Sequence, residues 1–388
     1  MTGFSRFTLR RFVSVQVLAL ASSLAFLVLA SPAQAQRTIS FDAPGADLTV
    51  GDNNGTYPSG INNFGVIAGT YTDANNVNHG FLRFPDGKFV AIDVPGADMT
   101  PGSFNGTAAQ AINDAGVVTG SYFDASGEGH GFLRNAEGKF TKFDAPDLGG
   151  SGTTPIALNL EGAVVGFYMN SKLVFRAFLR SPDGRVTTFA GPHACAMPTS
   201  QNCFGNEASN INIFGLITGN FEDDSINLVS HSMIRHPDGS IIAFEAPGAG
   251  NGPGQGTGCP GCFAGLNQWG VSAATFTDSN NTNHGYVRSP DGKFVTFDAP
   301  GAGTGNFIGT GCPSDCSVSL NDFGWLTGTY IDPNFVFHGY LRNPEGKIVT
   351  IDPPGSSGTE PGQINDAGLI TGEYIDANGV FHGFLRIP

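Results

Sequence analysis

Aspartate and histidine recur six residues apart along this chain, as Asp73 with His79, Asp124 with His130, Asp278 with His284, Asp332 with His338 and Asp376 with His382. A sixth pair, Asp223 with His231, is eight apart. Imidazole beside carboxylate is equipped for proton transfer near neutral pH, and neutral imidazole is also a metal ligand. One stretch argues for another use. Where the rest carry Asp and His it has Asn170 and Arg176, so both members change together. Joint replacement is what a local hydrogen bond repeated for structure predicts. The pairs are therefore read as structural, with no metal and no cofactor.

The six cysteines form three close sets, Cys195 with Cys203, Cys259 with Cys262 and Cys312 with Cys316. In an exported protein this spacing predicts three disulfides, each within one loop. A zinc site is the alternative, because Cys259-Pro-Gly-Cys262 and Cys312-x-x-x-Cys316 could supply four thiolates. No βαβ pattern surrounds Cys259 and Cys262, which argues against a thioredoxin-like redox role. Asp376-Ala-Asn-Gly379 and Asp124-Ala-Ser-Gly127 begin like calcium loops but lack the glutamate at the twelfth position. The sequence contains no Gly-x-Ser-x-Gly elbow, His-Glu-x-x-His or phosphate loop. It therefore supplies no catalytic residue by motif.

The elements that position these residues repeat. Ile/Leu-Asn-x-x-Gly recurs at Asn62, Asn113, Asn159, Asn212, Asn267, Asn321 and Asn365, with spacings of 44 to 55 residues. Periods of this size mark propellers or solenoids. Each copy holds four strand-like runs bounded by Gly, Asn, Asp or Pro, and no ten-residue run carries a helical stripe. The second run, for example Val66-Ile-Ala-Gly-Thr-Tyr71, is apolar or small on both faces, as a strand between stacked sheets must be. The fourth run is missing after Arg386, whereas Arg37-Thr-Ile-Ser-Phe-Asp-Ala-Pro-Gly45 is such a run with nothing before it. The expected fold is all-β, a seven-bladed β-propeller of four-stranded blades, closed by the N-terminal strand in the last blade. An open β-solenoid is the competing fold; it would need caps, and here the two ends complement each other.

Residues 1–35 carry Arg6, Arg10 and Arg11, an apolar run from Val15 to Ala30 and a small-x-small site at Ala33-Gln-Ala35, a secretory signal peptide. Residues 36–388 then form the single propeller domain, secreted or periplasmic, with no membrane span once the leader is cleaved. Cleavage removes three arginines and no acid, taking the net charge from −14 to −17. Such a surface repels phosphate backbones, so nucleic acid is excluded as a partner.

The unit Ile-Asn-x-x-Gly-x-Ile-x-Gly, followed by His-Gly-Phe-Leu-Arg and a hairpin, resembles the bacterial extracellular HAF repeat, named for its His-Ala-Phe tripeptide. This chain departs from it with glycine for alanine, as at Gly80 and Gly131, and with Arg83 and Arg134 where that family often has tryptophan. The resemblance implies an exported protein and carries over no catalytic residue.

Between the first and second strands, and between the third and fourth, stand short Asn-x-x-Gly and Asp-Gly turns. With a two-residue turn at Asp86-Gly87, Phe81 would face Ile92, Gly80 would face Asp93 and Arg83 would face Val90. The other two connections are free in length and share the opposite rim. Function is expected there, in the sector of the loops 191–207, 248–263 and 301–317, with Glu207 or Asp315 meeting an extracellular polysaccharide or protein. A binding or scaffold protein is the leading reading. An extracellular hydrolase or lyase acting on polysaccharide from the same face is the alternative.

Overall fold

The computed structural model describes residues 37–50, 54–103, 105–196, 204–259, 261–312 and 317–388. The leader, Cys203, Asp315 and Cys316 lie outside them. The described residues contain strands and turns and no helix.

The repeated unit is an antiparallel four-stranded meander. In the first copy it runs Thr56–Ile61, Ile67–Thr72, Asn78–Arg83 and Phe89–Ile92. Other copies repeat this order, and a parallel bridge from Ser230 to Gly256 joins the fourth and fifth copies into one larger sheet. The strand Arg37–Phe41 pairs antiparallel with Phe381–Ile387, Arg37 opposite Ile387 and Phe41 opposite Gly383. It is thus the outer strand of the sheet that also holds Ser356–Ile364 and Ile370–Asp376.

The Asn-x-x-Gly turn explains its own residues. Asn62 Oδ1 accepts from the amides of Phe64 and Val66 at 3.1 and 2.9 Å, and Gly65, at φ 75°, donates to Asn62 O. The remaining donor, Nδ2, reaches out of the copy to the carbonyl oxygen of Asn113 at 3.2 Å. Asn113, Asn159, Asn212, Asn267, Asn321 and Asn365 each do the same to the next, and Asn365 donates to Asn62. All seven are buried. Their amides form an unbroken cycle.

The Asp-Gly hairpin is longer than a two-residue turn. Phe84 N donates to Lys88 O and Gly87 N to Phe84 O, both at 2.8 Å, so Pro85-Asp86-Gly87 is a three-residue loop with Gly87 at φ 85°. The one extra residue shifts every pair, setting Gly80 opposite Ile92, Phe81 opposite Ala91 and Arg83 opposite Phe89.

Apolar cores lie between consecutive sheets. One joins Ala68, Leu82 and Ile92 to Ala109, Ile112, Val118 and Phe132. Another joins Phe41 and Leu385 to Ile61, Ile67, Tyr71 and Phe81. Each large side chain fully buried there contributes on the order of 2–3 kcal/mol. Close approach also accounts for the Gly in His-Gly-Phe: a Cβ on Gly131 would fall 2.7 Å from the Phe143 ring, and one on Gly383 2.5 Å from Phe41.

In all copies but the last, the first strand anchors the preceding x-Pro turn. Thr56 Oγ1 accepts from Ala43 N at 2.9 Å and Thr107 Oγ1 from Val94 N at 3.0 Å. In the last copy Pro353 takes the donor's place, and Pro has no N–H. Thr359 Oγ1 is buried without a hydrogen-bond partner as a result.

Candidate functional site

Each of the six histidines lies between two carboxylates. The tight contact is at Nδ1, to an acid fourteen residues on: Asp93 at 2.9 Å from His79, Asp144 at 2.8 Å from His130, Asp298 at 2.8 Å from His284 and Asp352 at 2.7 Å from His338. His231 meets Glu245 in the same way, and His382 meets Asp42 of the N-terminal strand at 2.8 Å. The Asp six or eight residues earlier is looser, with Oδ2 3.3–3.8 Å from Nε2. Its other oxygen holds its own loop, as Asp73 Oδ1 accepts from Asn75 and Val77 amides at 2.9 Å. The ring stacks on the aromatic of the neighbouring strand, His79 on Tyr71 at 5.0 Å.

The recurring acid-x-Pro, fourteen residues after five of the six histidines and at Asp42 for His382, is the signal for the closer partner. In the third copy the change extends to that third member, so Asn170, Arg176 and Ala190 replace acid, imidazole and acid. Asn170 Oδ1 still accepts from Lys172 and Val174 amides, the loop-holding role of Asp73. The hydrogen bonds that His231 donates to Glu245 and His284 to Asp298 hold these imidazoles above their ordinary pKa. Burial opposes the same shift at His130, where Asp144 and Asp124 together outweigh it. Among the described residues no three or more His, Cys, Asp or Glu are grouped to hold a metal ion.

Cys259 and Cys262 are joined by a disulfide, which removes two of the four thiolates a zinc site would need. Cys195 and Cys312 are disulfide-bonded as well. The expected pairings Cys195–Cys203 and Cys312–Cys316 each include a residue outside the described ones, as does any role of Asp315. The Cys259 and Cys262 sulfurs lie 3.6 and 3.8 Å from Cys312 O, so two of the cysteine loops meet.

Glu207, expected to meet a ligand, is 1% exposed. Its Oε2 accepts from Gly261 N at 2.8 Å, and the opposite residue Asn220 donates to the carbonyls of Cys259 and Cys262. This pair anchors the disulfide loop of the following copy.

A cavity of about 290 Å³ lies where the first strands converge, lined by Pro58, Gln110, Ile156, Ser209, Ala264, Ser319 and Gln363, one from each copy. Phe263 and Ser317, at the ends of two cysteine-bearing loops, also line it. One feature of its wall breaks the repeat. Glu360 and Glu373 stand opposite each other on Ser356–Ile364 and Ile370–Asp376. The equivalent pairs elsewhere are Tyr57 with Thr70, Ala108 with Ser121, Thr154 with Phe167 and Glu207 with Asn220.

Loss of solvation in the wall, and then the Glu360 charge, push the Glu373 carboxyl up to about 8. Tyr57, on the adjoining first strand, is raised by burial and then by Glu373. At neutral pH the wall thus presents the protonated Glu373 carboxyl opposite a second acid, with a phenol beside them. Such a set can donate and accept hydrogen bonds to adjacent hydroxyls, and it contains the parts of a general acid–base pair. Motif reading missed it because the two acids are 13 residues apart and match no catalytic pattern.

No protein-family model and no curated protein matches the sequence, so the HAF resemblance has no support from a family model. Solved structures do resemble it. The β-propeller domain of the Trilobed protease from Pyrococcus furiosus aligns at TM-score 0.52 and 11% identity, over 85% of this chain and 95% of that one. A lectin from Burkholderia pseudomallei aligns at 0.51 and 10%, over 82% and 91%. A prolyl endopeptidase aligns at 0.53 and 11%, over 82% of this chain and 46% of the longer enzyme. Identities this low establish the architecture alone: the chain is a β-propeller.

Proposed function

We propose that residues 36–388 form one exported, seven-bladed propeller, closed by Arg37–Phe41 in the last blade, that binds a polysaccharide at the long-loop mouth of its channel. The asparagine cycle, which returns to its start after seven steps, supports the blade count and closure. The Cys259–Cys262 disulfide supports export past residues 1–35. The HAF resemblance agrees with an exported protein.

The observation that carries the binding role is the Glu360–Glu373 pair in the channel wall. Two facing carboxyls of unequal proton affinity give one donor and one acceptor, the complement of vicinal hydroxyls. The acidic surface disfavours nucleic acid. The test is a panel of extracellular polysaccharides applied to the parent, Glu360→Gln and Glu373→Gln. The parent retains at least one glycan and each variant loses it. Equal retention by all three proteins refutes the reading.

A hydrolase is the second reading, favoured by the same protonated Glu373 opposite an acid, the pairing that glycoside hydrolysis uses. Release of new reducing ends by the parent, with binding kept and turnover lost in Glu373→Gln, separates it from simple binding.

A further inference from the structure

Each third strand carries an arginine at or next to its last residue. Arg83, Arg180, Arg235, Arg288 and Arg342 lie 4.6–5.1 Å over Phe41, Phe143, Phe189, Phe244 and Phe297. Arg134 has Ile92 at the ring position, and its Nη1 donates to Asn135 O at 3.4 Å.

Arg386 has neither. Ile351 precedes Asp352 as Phe297 precedes Asp298, so no ring lies beneath it. Among the described residues its guanidinium makes no hydrogen bond, ion pair or ring contact, although the residue is only 5% exposed. Burial lowers its proton affinity, and no nearby acid offsets that. A buried cation without a counter-charge is costly, and an anion is its natural complement.

The side chain lines a groove of about 250 Å³ on the turn face, opposite the long loops, together with Phe323, Trp325, Leu341 and Asp366. Phe323 is 67% and Trp325 38% exposed. Trp325 is peculiar to this copy, for Val66, Val117 and Val271 are its counterparts. Asn321 Oδ1 accepts from the amides of both Phe323 and Trp325, at 3.1 and 3.0 Å, which fixes the turn that displays the rings. Asp366 is held at the groove edge by Asp322 N and Asn63 Nδ2, both at 2.9 Å.

We propose that this groove binds a hexuronate, the acidic unit of an anionic polysaccharide, with its carboxylate on Arg386, its apolar ring face on Trp325 and Phe323, and a hydroxyl donating to Asp366. A guanidinium suits a carboxylate because it offers parallel N–H donors. The flat aromatic surface with one polar acceptor suits a sugar ring better than an aliphatic acid. This site is separate from the channel and stands or falls independently of it.

The probes are D-glucuronate and D-galacturonate, with D-glucose and D-galactose as uncharged counterparts. Trp325 fluorescence is the readout, in a Trp269→Phe background that removes the other tryptophan. The uronates bind roughly tenfold more tightly than the hexoses, and Arg386→Gln reduces that preference to below about twofold. Trp325→Val, which installs the side chain of the sibling copies, weakens uronate binding roughly tenfold, measured by saturation-transfer NMR. That variant decides the matter if Arg386→Gln does not fold. Equal affinity for uronate and hexose, absence of uronate binding at about 10 mM, or unchanged binding in a folded variant overturns the proposal.

Discussion

Asn365 Nδ2 donates to the carbonyl oxygen of Asn62 at 2.9 Å, although 303 residues separate the two. The same side chain accepts from Leu369 N at 2.9 Å, so one amide both shapes its turn and ties the last copy to the first. Asn365→Ala leaves buried groups unpaired and costs about 2 kcal/mol, read as a Tm several degrees lower. Deleting residues 36–46 exposes the edge of Phe381–Ile387 and lowers Tm further or causes aggregation. Unchanged melting of the deletion variant would rule out closure.

Glu373 makes stability depend on pH in a predictable direction. The unfolded chain releases this proton near 4.5 and the folded protein near 8, so between those values folding loses stability as pH rises. Glu373→Gln stays neutral throughout. Thermal scans should show parent and variant alike at pH 4, and the variant higher by roughly 3–6 °C at pH 8.5. A gap at pH 4 that vanishes at pH 8.5 would reverse the sign and reject the assignment.

The histidines on the rim add a dependence of the same sign, and their aspartate partners one of the opposite sign. His231 and His284 have folded pKa values above the ordinary value, so their contribution is complete below about 6.5 and is lost as pH rises through the raised values. Asp223 and Asp278 are depressed, so theirs is present above the ordinary carboxylate value and lost on acidification. His231→Gln and His284→Gln should each lower Tm by a degree or two near pH 5.5 and by less at pH 8.5. Thermal melts in the two buffers give the comparison.

Glu207 ties the loop that carries the Cys259–Cys262 disulfide to the fourth copy. Removing its carboxylate orphans Gly261 N–H. Glu207→Ala should cost about 1–3 kcal/mol and speed amide exchange at Gly261 and Cys262, whereas a ligand-only role predicts parental stability. Non-reducing peptide mapping should also join Cys195 to Cys203 and Cys312 to Cys316.

The loops 191–207, 248–263 and 301–317 are expected to form the polysaccharide-binding sector of the long-loop face, because disulfides lower the ordering cost of binding. Replacing each in turn with a short Gly-Ser turn should abolish retention of any glycan bound at the channel as proposed. If all three replacements fold and bind as the parent does, the sector has been misassigned.

Much of this architecture was legible because its causes are local. Asn62 shapes its turn through amides two and four residues away, and Asp73 holds its loop over the same range, so type and spacing announce both. The N-terminal strand could be matched to the last copy because Phe41-Asp42-Ala-Pro-Gly45 repeats the end of the other fourth strands. Other features depend on contacts that the linear order does not display. The hairpin register turned on one extra residue at Pro85-Asp86-Gly87, and the closer acid of each histidine arrives on the outer strand. Glu360 and Glu373 become a pair through strand register, and Glu373 acquires its proton affinity from the desolvation of the wall in which it sits. Arg386 reads like the other strand-ending arginines. Only packing shows that Ile351 offers it no ring and that Trp325 lines the space beside it, because burial and pairing across sheets are properties of the folded chain and not of any one copy.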